Sequence, residues 1–291
     1  CVIRVPLYLY LPHSINIMTP KGTLIAVGGS EERTTESQGK LDVLKRIVKE
    51  MKGRDTRLEL VTTASGIPRQ IAKEYKAAFE HIGIHSLGIM HLKTKNDANK
   101  KDILARLKKC DGLMFSGGNQ EKLSEVFLDT QALDILHHRY QNEKDFVIAG
   151  TSAGAMAQSG KMINGGTPSE AVKRGKAMMM SGLGFINNAI IDSHFVNRGR
   201  FGRLMVAVAE YPKLTGIGIS EDTGVIIKEE RYLEIIGSGE VVIIDGQELR
   251  YNSLDNKEYS GLNIEHMIFH LLSAGMQYDL KMRKMALQEQ H

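Results

Sequence analysis

From residue 23 onward the apolar positions follow two alternating rhythms. Thr23-Leu-Ile-Ala-Val27 is a short run of strand formers that stops at Gly28-Gly29. Leu41, Val43, Leu44, Ile47, Val48 and Met51 then recur at helical spacing and predict a helix. The alternation continues. Arg57–Thr63 reads as a strand, Ser65-Gly-Ile-Pro68 as a turn, and the stretch through Tyr75 and Phe79 as a helix. Ser86–His91 and Gly112–Phe115 are further strands, separated by a helix at Asp102–Leu107. Leu123–Tyr140 reads as one helix and Phe146–Ala149 as the next strand. Such alternation predicts an α/β fold with a mostly parallel sheet and helices on both faces.

Past residue 180 the texture changes to short β-rich runs at Ala189–Ile191, Ile217–Ile219, Gly224–Ile227 and Val241–Ile244. Asp245-Gly246 is a hairpin-turn candidate, and His266–Ala274 suits a short closing helix. No repeat, low-complexity block or linker divides the chain, so residues 18–291 are expected to form a single domain. Residues 1–17 carry an apolar stretch broken by Pro6 and Pro12, far short of a membrane span and without a signal-peptide cleavage pattern. Met18-Thr-Pro-Lys-Gly-Thr reads as a natural start, so 1–17 is expected to be a tail outside the fold.

Composition narrows the classes without choosing among them. The chain has 291 residues, 42% of them hydrophobic and 25% charged, enough for a sizeable core. The net charge of +4 is too small to indicate nucleic-acid binding. Two cysteines, Cys1 and Cys110, make no disulfide framework, and a cytoplasmic setting is the expectation. Cys110, just before a strand, is expected to be packed. No membrane partner is indicated, and a homodimer is the default assembly.

The chemistry concentrates where the Phe146–Ala149 strand ends. Gly150-Thr151-Ser152-Ala153-Gly154 fits G-x-S-x-G, the turn that lifts a nucleophilic serine out of a strand and points backbone N–H groups at the reacting carbonyl. An ordinary glycine-rich loop would show the same five letters, but here a strand precedes them and Ala155-Met-Ala-Gln158 can begin a helix. Gly28-Gly29 and Gly117-Gly118 close two other strands at the sheet end where ligands bind. A dinucleotide site is not expected, because G-x-G-x-x-G is absent.

The serine needs a base and an acid to orient that base. Among 10 histidines, His194 follows a strand and enters a polar corner, Asp192-Ser193-His194-Phe195. His266 and His270 share a helical spacing but lack the H-E-x-x-H glutamate, so no metal is expected. His137 and His138 lie side by side on a helix and need no function. After His194 come Arg198, Arg200 and Arg203, either a solvated helix start or a cluster whose planar forks clamp carboxylates.

Four stretches together carry a resemblance. Phe115-Ser-Gly-Gly-Asn-Gln120, Gly150-Thr-Ser-Ala-Gly-Ala155, Asp192-x-His194-Phe-x-x-Arg198-x-Arg200-x-x-Arg203-Leu204 and Gly218-Ile-Ser-Glu221-Asp222-Thr223 are similar to the cyanophycinase group of serine peptidases. That group is related to dipeptidase E, and its fold is class I glutamine amidotransferase-like, a flavodoxin-like three-layer sandwich. The likeness runs from about Lys21 to about Asp245. It implies an exopeptidase that splits β-aspartyl-arginine linkages of cyanophycin through an acyl-enzyme, with no cofactor. An α-aspartyl dipeptidase and a non-catalytic carboxylate-binding relative are the alternatives.

The resemblance also implies roles: Ser152 as nucleophile, His194 as base, and Glu221 as the orienting acid with Asp222 in reserve. Gly118 and Ala153 would supply the oxyanion hole. Gln120, Asp192, Arg198, Arg200 and Arg203 would line the substrate pocket. The family usually carries Asp-Gln-His where this chain has Asp192-Ser193-His194, which leaves the peptidase chemistry untouched and bears on the substrate.

Overall fold

Five of the apolar runs form the parallel core of one sheet. They are β1 (Thr23–Val27), β2 (Arg57–Val61), β3 (Ser86–Met90), β4 (Gly112–Phe115) and β5 (Val147–Thr151), ordered β1-β5-β4-β2-β3. The structure, a computed structural model, describes residues 19–34, 41–51, 55–174, 177–254 and 262–286. The expected tail at 1–17 lies outside them.

Parallel neighbours need crossovers, and helices supply them. These are α1 (Asp42–Lys49), α2 (Pro68–His81), α3 (Lys95–Ala98), α4 (Lys101–Lys109), α5 (Gln120–Phe127) and α6 (Gln131–Asn142). Alternate strand residues point to opposite faces. Ile25, Val27, Met114 and Ala149 pack with Leu44 and Ile47 of α1 and Phe79 of α2. Leu24, Ala26, Phe115 and Ile148 pack on the other side with Leu107 of α4, Leu123 of α5 and Leu136 of α6. Helices therefore cover both faces, and β1, β4 and β5 are buried at every position.

The expected single helix over Leu123–Tyr140 is two. Leu128 turns extended, Asp129 takes φ 59°, and the Thr130 hydroxyl caps α6 by accepting from the Leu133 N–H. Apolar spacing continues through the break, so periodicity alone hid it.

After α7 (Ala153–Met156) come β6 (Lys161–Ile163), α8 (Pro168–Arg174), β7 (Met179–Ser181), β8 (Ala189–Asp192) and α9 (Phe201–Glu210). Then follow β9 (Thr215–Ile219), β10 (Thr223–Lys228), β11 (Tyr232–Gly237) and β12 (Val241–Asp245). The last strands are β13 (Tyr251–Asn252), β14 (Ile264–Glu265), β15 (Ile268–Leu272), β16 (Gln277–Asp279) and β17 (Lys284–Ala286). β10 pairs antiparallel with β1 and leads to β11, β16 and β17, completing nine strands. A smaller sheet runs β15-β12-β9-β8.

Two expectations fail here. His266–Ala274 is not a helix: Phe269 and Leu271 face outward, 49% and 67% exposed, while Leu272 is buried, a strand alternation concealed by apolar residues on both faces. His266 and His270 share no helical face; His266 takes φ 67° and His270 packs edge-on to Tyr278. Nor does Asp245-Gly246 close a hairpin, because β12 pairs with β9 and β15. Asp245 instead accepts from the Gln247 N–H and from Arg283.

The corners after β1, β4 and β5 meet those after β8 and β9 at one edge. The Ser152 N–H donates to Val27 O (2.9 Å), the His194 N–H to Gly28 O (2.7 Å) and the Asp222 N–H to Gly29 O (2.9 Å). Among the described residues no helix is long and apolar enough to cross a membrane.

Candidate active site

Ser152 takes φ 52° and ψ −114° between β5 and α7, a conformation L-residues rarely adopt. The glycines around it permit this. A Cβ on Gly150 would lie 2.4 Å from Gly154 O, and one on Gly154 would lie 2.4 Å from Phe115 O. The elbow is thus packed backbone on backbone, which forces the serine outward.

The Ser152 hydroxyl lies 2.8 Å from His194 Nε2, and His194 Nδ1 lies 2.6 Å from Glu221 Oε1. The carboxylate accepts the Nδ1 proton, leaving Nε2 to accept from the serine. His194 itself takes φ 47°. Its ring rests on Gly29, where φ is 101° and a Cβ would come within 2.4 Å of Cε1, so only glycine fits beneath it. Burial holds His194 below the ordinary imidazole value; the Glu221 hydrogen bond opposes this and the nearby Arg198 charge adds to it. A neutral imidazole against a serine hydroxyl is the form that can remove a proton near neutral pH.

Of the two adjacent acids, only Glu221 reaches the ring. Asp222 turns the other way and accepts from the Glu32 N–H (3.3 Å) and the Ser238 hydroxyl (2.6 Å). Asn197 accepts the Glu221 N–H at 3.1 Å and steadies that corner.

Beside the serine stand Gly118 and Ala153. A Cβ on Gly117 would lie 3.2 Å from the Ser152 Cβ, so the β4 corner closes over the nucleophile. Gly118 (φ 141°) admits no side chain, since a Cβ would meet Ala64 O at 2.0 Å. Neither the Gly118 nor the Ala153 N–H finds an acceptor among the described residues. Two such donors next to a nucleophile can hold a developing oxyanion.

The arginines divide. Arg203 is buried, with Nε 2.7 Å from Asp192 Oδ2 and its second nitrogen on Oδ1. Asp192, wholly buried, also accepts from Arg200 (3.2 Å) and from the Ser193 N–H (2.9 Å). Two of the three expected substrate forks are therefore engaged by an internal carboxylate, Arg203 fully and Arg200 in part. Arg198 is exposed and makes no ion pair among the described residues. Gln120, at the start of α5, donates its amide to Ile163 O (3.0 Å). Ser193 is buried, its hydroxyl on the Met156 sulfur at 3.3 Å.

The β1 corner matters more than the sequence suggested, through Gly29 under the imidazole and through Glu31 beside Thr151. The signal was there, an acidic pair following two glycines at a strand end.

The model of peptidase family S51 matches residues 24–235. The chain belongs to peptidase family S51. This S51 peptidase is 31% identical over 277 residues to the cyanophycinase of Trichormus variabilis, covering 93% of this chain and 90% of that one. It is 32% identical over 262 residues to the cyanophycinase of Synechococcus elongatus, covering 90% and 80%. A crystal structure of a peptidase from an acI-B1 actinobacterium superposes with a TM-score of 0.64 at 19% identity, covering 90% of this chain and 98% of that one. The chain is accordingly a serine peptidase, a hydrolase, and the fold is that of the S51 peptidases, class I glutamine amidotransferase-like.

Proposed function

We propose that this S51 peptidase degrades cyanophycin as a serine exopeptidase, releasing β-aspartyl-arginine dipeptides. The observation that carries the catalytic reading is the unbroken chain Ser152 Oγ–His194–Glu221, at 2.8 and 2.6 Å, on an elbow that exposes the hydroxyl. The cyanophycinase relatives support the substrate.

Ser152 attacks the carbonyl of the scissile amide as its proton passes to His194 Nε2. The Gly118 and Ala153 N–H groups hold the oxyanion, and Glu221 stabilises the imidazolium. The imidazolium then protonates the leaving amine, the C–N bond breaks and an acyl-enzyme remains. Water, deprotonated by His194, releases the acid. Gln120, Arg198 and the free side of Arg200 face the substrate, Arg198 as the open fork for a carboxylate. Asp192 and Arg203 hold that wall in place.

One observation favours a second reading, an aspartyl dipeptidase. Ser193 is short, buried and turned onto Met156, so it presents no amide to a branched polymer. Incubation with purified cyanophycin and with Asp-Leu, with products followed by mass, separates the two. Dipeptides of aspartate and arginine support the first reading. Cleavage of Asp-Leu with the polymer intact overturns it.

A further inference from the structure

Behind the elbow lies a carboxylate that the reaction as described does not use. Glu31 is 2% exposed and accepts two hydrogen bonds, from the Thr151 hydroxyl at 2.6 Å and from the Tyr75 hydroxyl. Thr151 immediately precedes Ser152. Tyr75 comes from α2, so one side chain ties the β1 corner, a flanking helix and the elbow together. Burial and the nearby Glu31 charge push the Tyr75 hydroxyl well above its ordinary value, so it keeps its proton and donates. Arg33 lies over the Tyr75 ring, 5.0 Å from its centroid, and closes the outer side.

The same corner touches two members of the triad and the neighbour of the third. Val27 O accepts from the Ser152 N–H, Gly28 O from the His194 N–H, and Gly29 O from the N–H of Asp222, next to Glu221. Gly29 floors the imidazole. These are main-chain contacts, and they stand on a β1 already held in register, with Val27 opposite Thr151 in the ladder. Beyond the strand end, the Glu31 carboxylate adds a side-chain contact to that same residue before the nucleophile.

We propose that Glu31 is a positioning residue, which through Thr151 fixes the strained Ser152 backbone in register with His194. The role rests on Ser152 being the nucleophile. A buried carboxylate with two hydroxyl donors holds a position more tightly than an apolar contact, since charge-assisted hydrogen bonds are short and directional. Losing it lets the elbow relax toward an ordinary turn and lengthens the Ser152–His194 contact.

The test is the rate at which a fluorophosphonate forms an Oγ–P bond with Ser152 and releases fluoride. It is read alongside kcat and KM for peptide hydrolysis, well below each variant's melting temperature. Glu31→Ala is expected to slow phosphonylation and kcat by roughly 10²-fold, the scale of an ångström misplacement, while KM stays put. Glu31→Gln, whose amide can accept from one hydroxyl and donate to the other, is expected to restore most of the rate. Thr151→Val, nearly isosteric, removes the hydroxyl from the elbow side and is expected to act like Glu31→Ala; it decides the matter if Glu31→Ala does not fold. Wild-type phosphonylation rates in both Thr151→Val and any folded Glu31→Ala overturn the proposal, even if melting temperatures fall. An unreactive wild-type enzyme, indistinguishable from Ser152→Ala, overturns the nucleophile assignment and this proposal with it.

Discussion

The serine and the imidazole stand 2.8 Å apart yet are held by two differently built regions. Ser152 rises from the parallel half of the main sheet, where neighbouring strands are buried and the corner is set by glycines packed against backbone. His194 and Glu221 leave β8 and β9 of the smaller sheet, and their corners lean on the main sheet through hydrogen bonds to Gly28 and Gly29. The first region carries its signal in residues adjacent in sequence, Gly150 to Gly154, although Val27 and Phe115 pack against it. The second is shaped by contacts across more than 160 residues, such as His194 to Gly28. A local motif can therefore announce a nucleophile by itself, while its base and acid need either a family resemblance or the assembled sheets to be joined to it.

The comparison breaks first if the two regions fail unequally. Ser152→Ala and His194→Ala are each expected to abolish hydrolysis with unchanged circular dichroism, and the double variant to lose little more, because triad members act as a unit. Turnover of Ser152→Ala near the wild-type rate would falsify the assignment. Next in size, Glu221→Gln should lower kcat by up to about 10⁴-fold, the loss when a triad acid becomes an amide. Asp222→Asn, whose side chain faces Glu32 and Ser238, should cost far less; the reverse ranking would transfer the role.

The arginines sharpen the contrast between structure and recognition. Asp192→Ala leaves two guanidinium groups without their buried partner and should cost about 3–5 kcal/mol of stability, read from denaturant unfolding. Arg198→Lys should leave the melting temperature unchanged but lower kcat/KM by roughly thirtyfold, about 2 kcal/mol for a lost charged fork. Wild-type kinetics in Arg198→Lys would make that residue a solvated surface group. The smallest effect is in pH dependence. His194 is held below about 6.5, its ordinary value, so the acid limb of kcat/KM should fall below that pH. Arg198 contributes to the depression by disfavouring imidazolium. Arg198→Ala should therefore move the limb upward; a downward move would contradict the proximity of the two charges.

Much of the parallel half was legible because both signals it emits are short-range. Strands buried on both faces read as apolar runs, and the helices between them carry a 3.6-residue stripe. The elbow was legible for the same reason. The hairpins were harder. β11 pairs along its whole length with β10 yet gives little signal in the sequence, because Tyr232-Leu-Glu-Ile-Ile-Gly237 mixes outward polar and apolar residues. The helix expected over His266–Ala274 gives way to β15 because Phe269 and Leu271 leave no polar face to betray the strand period. At the site, residue types were visible but pairings were not. Nothing in the spacing of Arg198, Arg200 and Arg203 says that one stays open while another is closed by Asp192. Glu31 is 120 residues from the hydroxyl it holds, and no local pattern joins them.

A serine at φ 52° occupies backbone territory that glycine enters freely. Ser152→Gly should therefore relieve part of the local strain, on the order of 1 kcal/mol, and raise the melting temperature while removing all turnover. Stability and function pull this one codon in opposite directions. Selection for stability alone would favour the sturdier, inert molecule, so the serine persists only while the reaction benefits the cell. A descendant freed from that duty but still selected for stability should carry glycine there and outlast its active ancestor on heating.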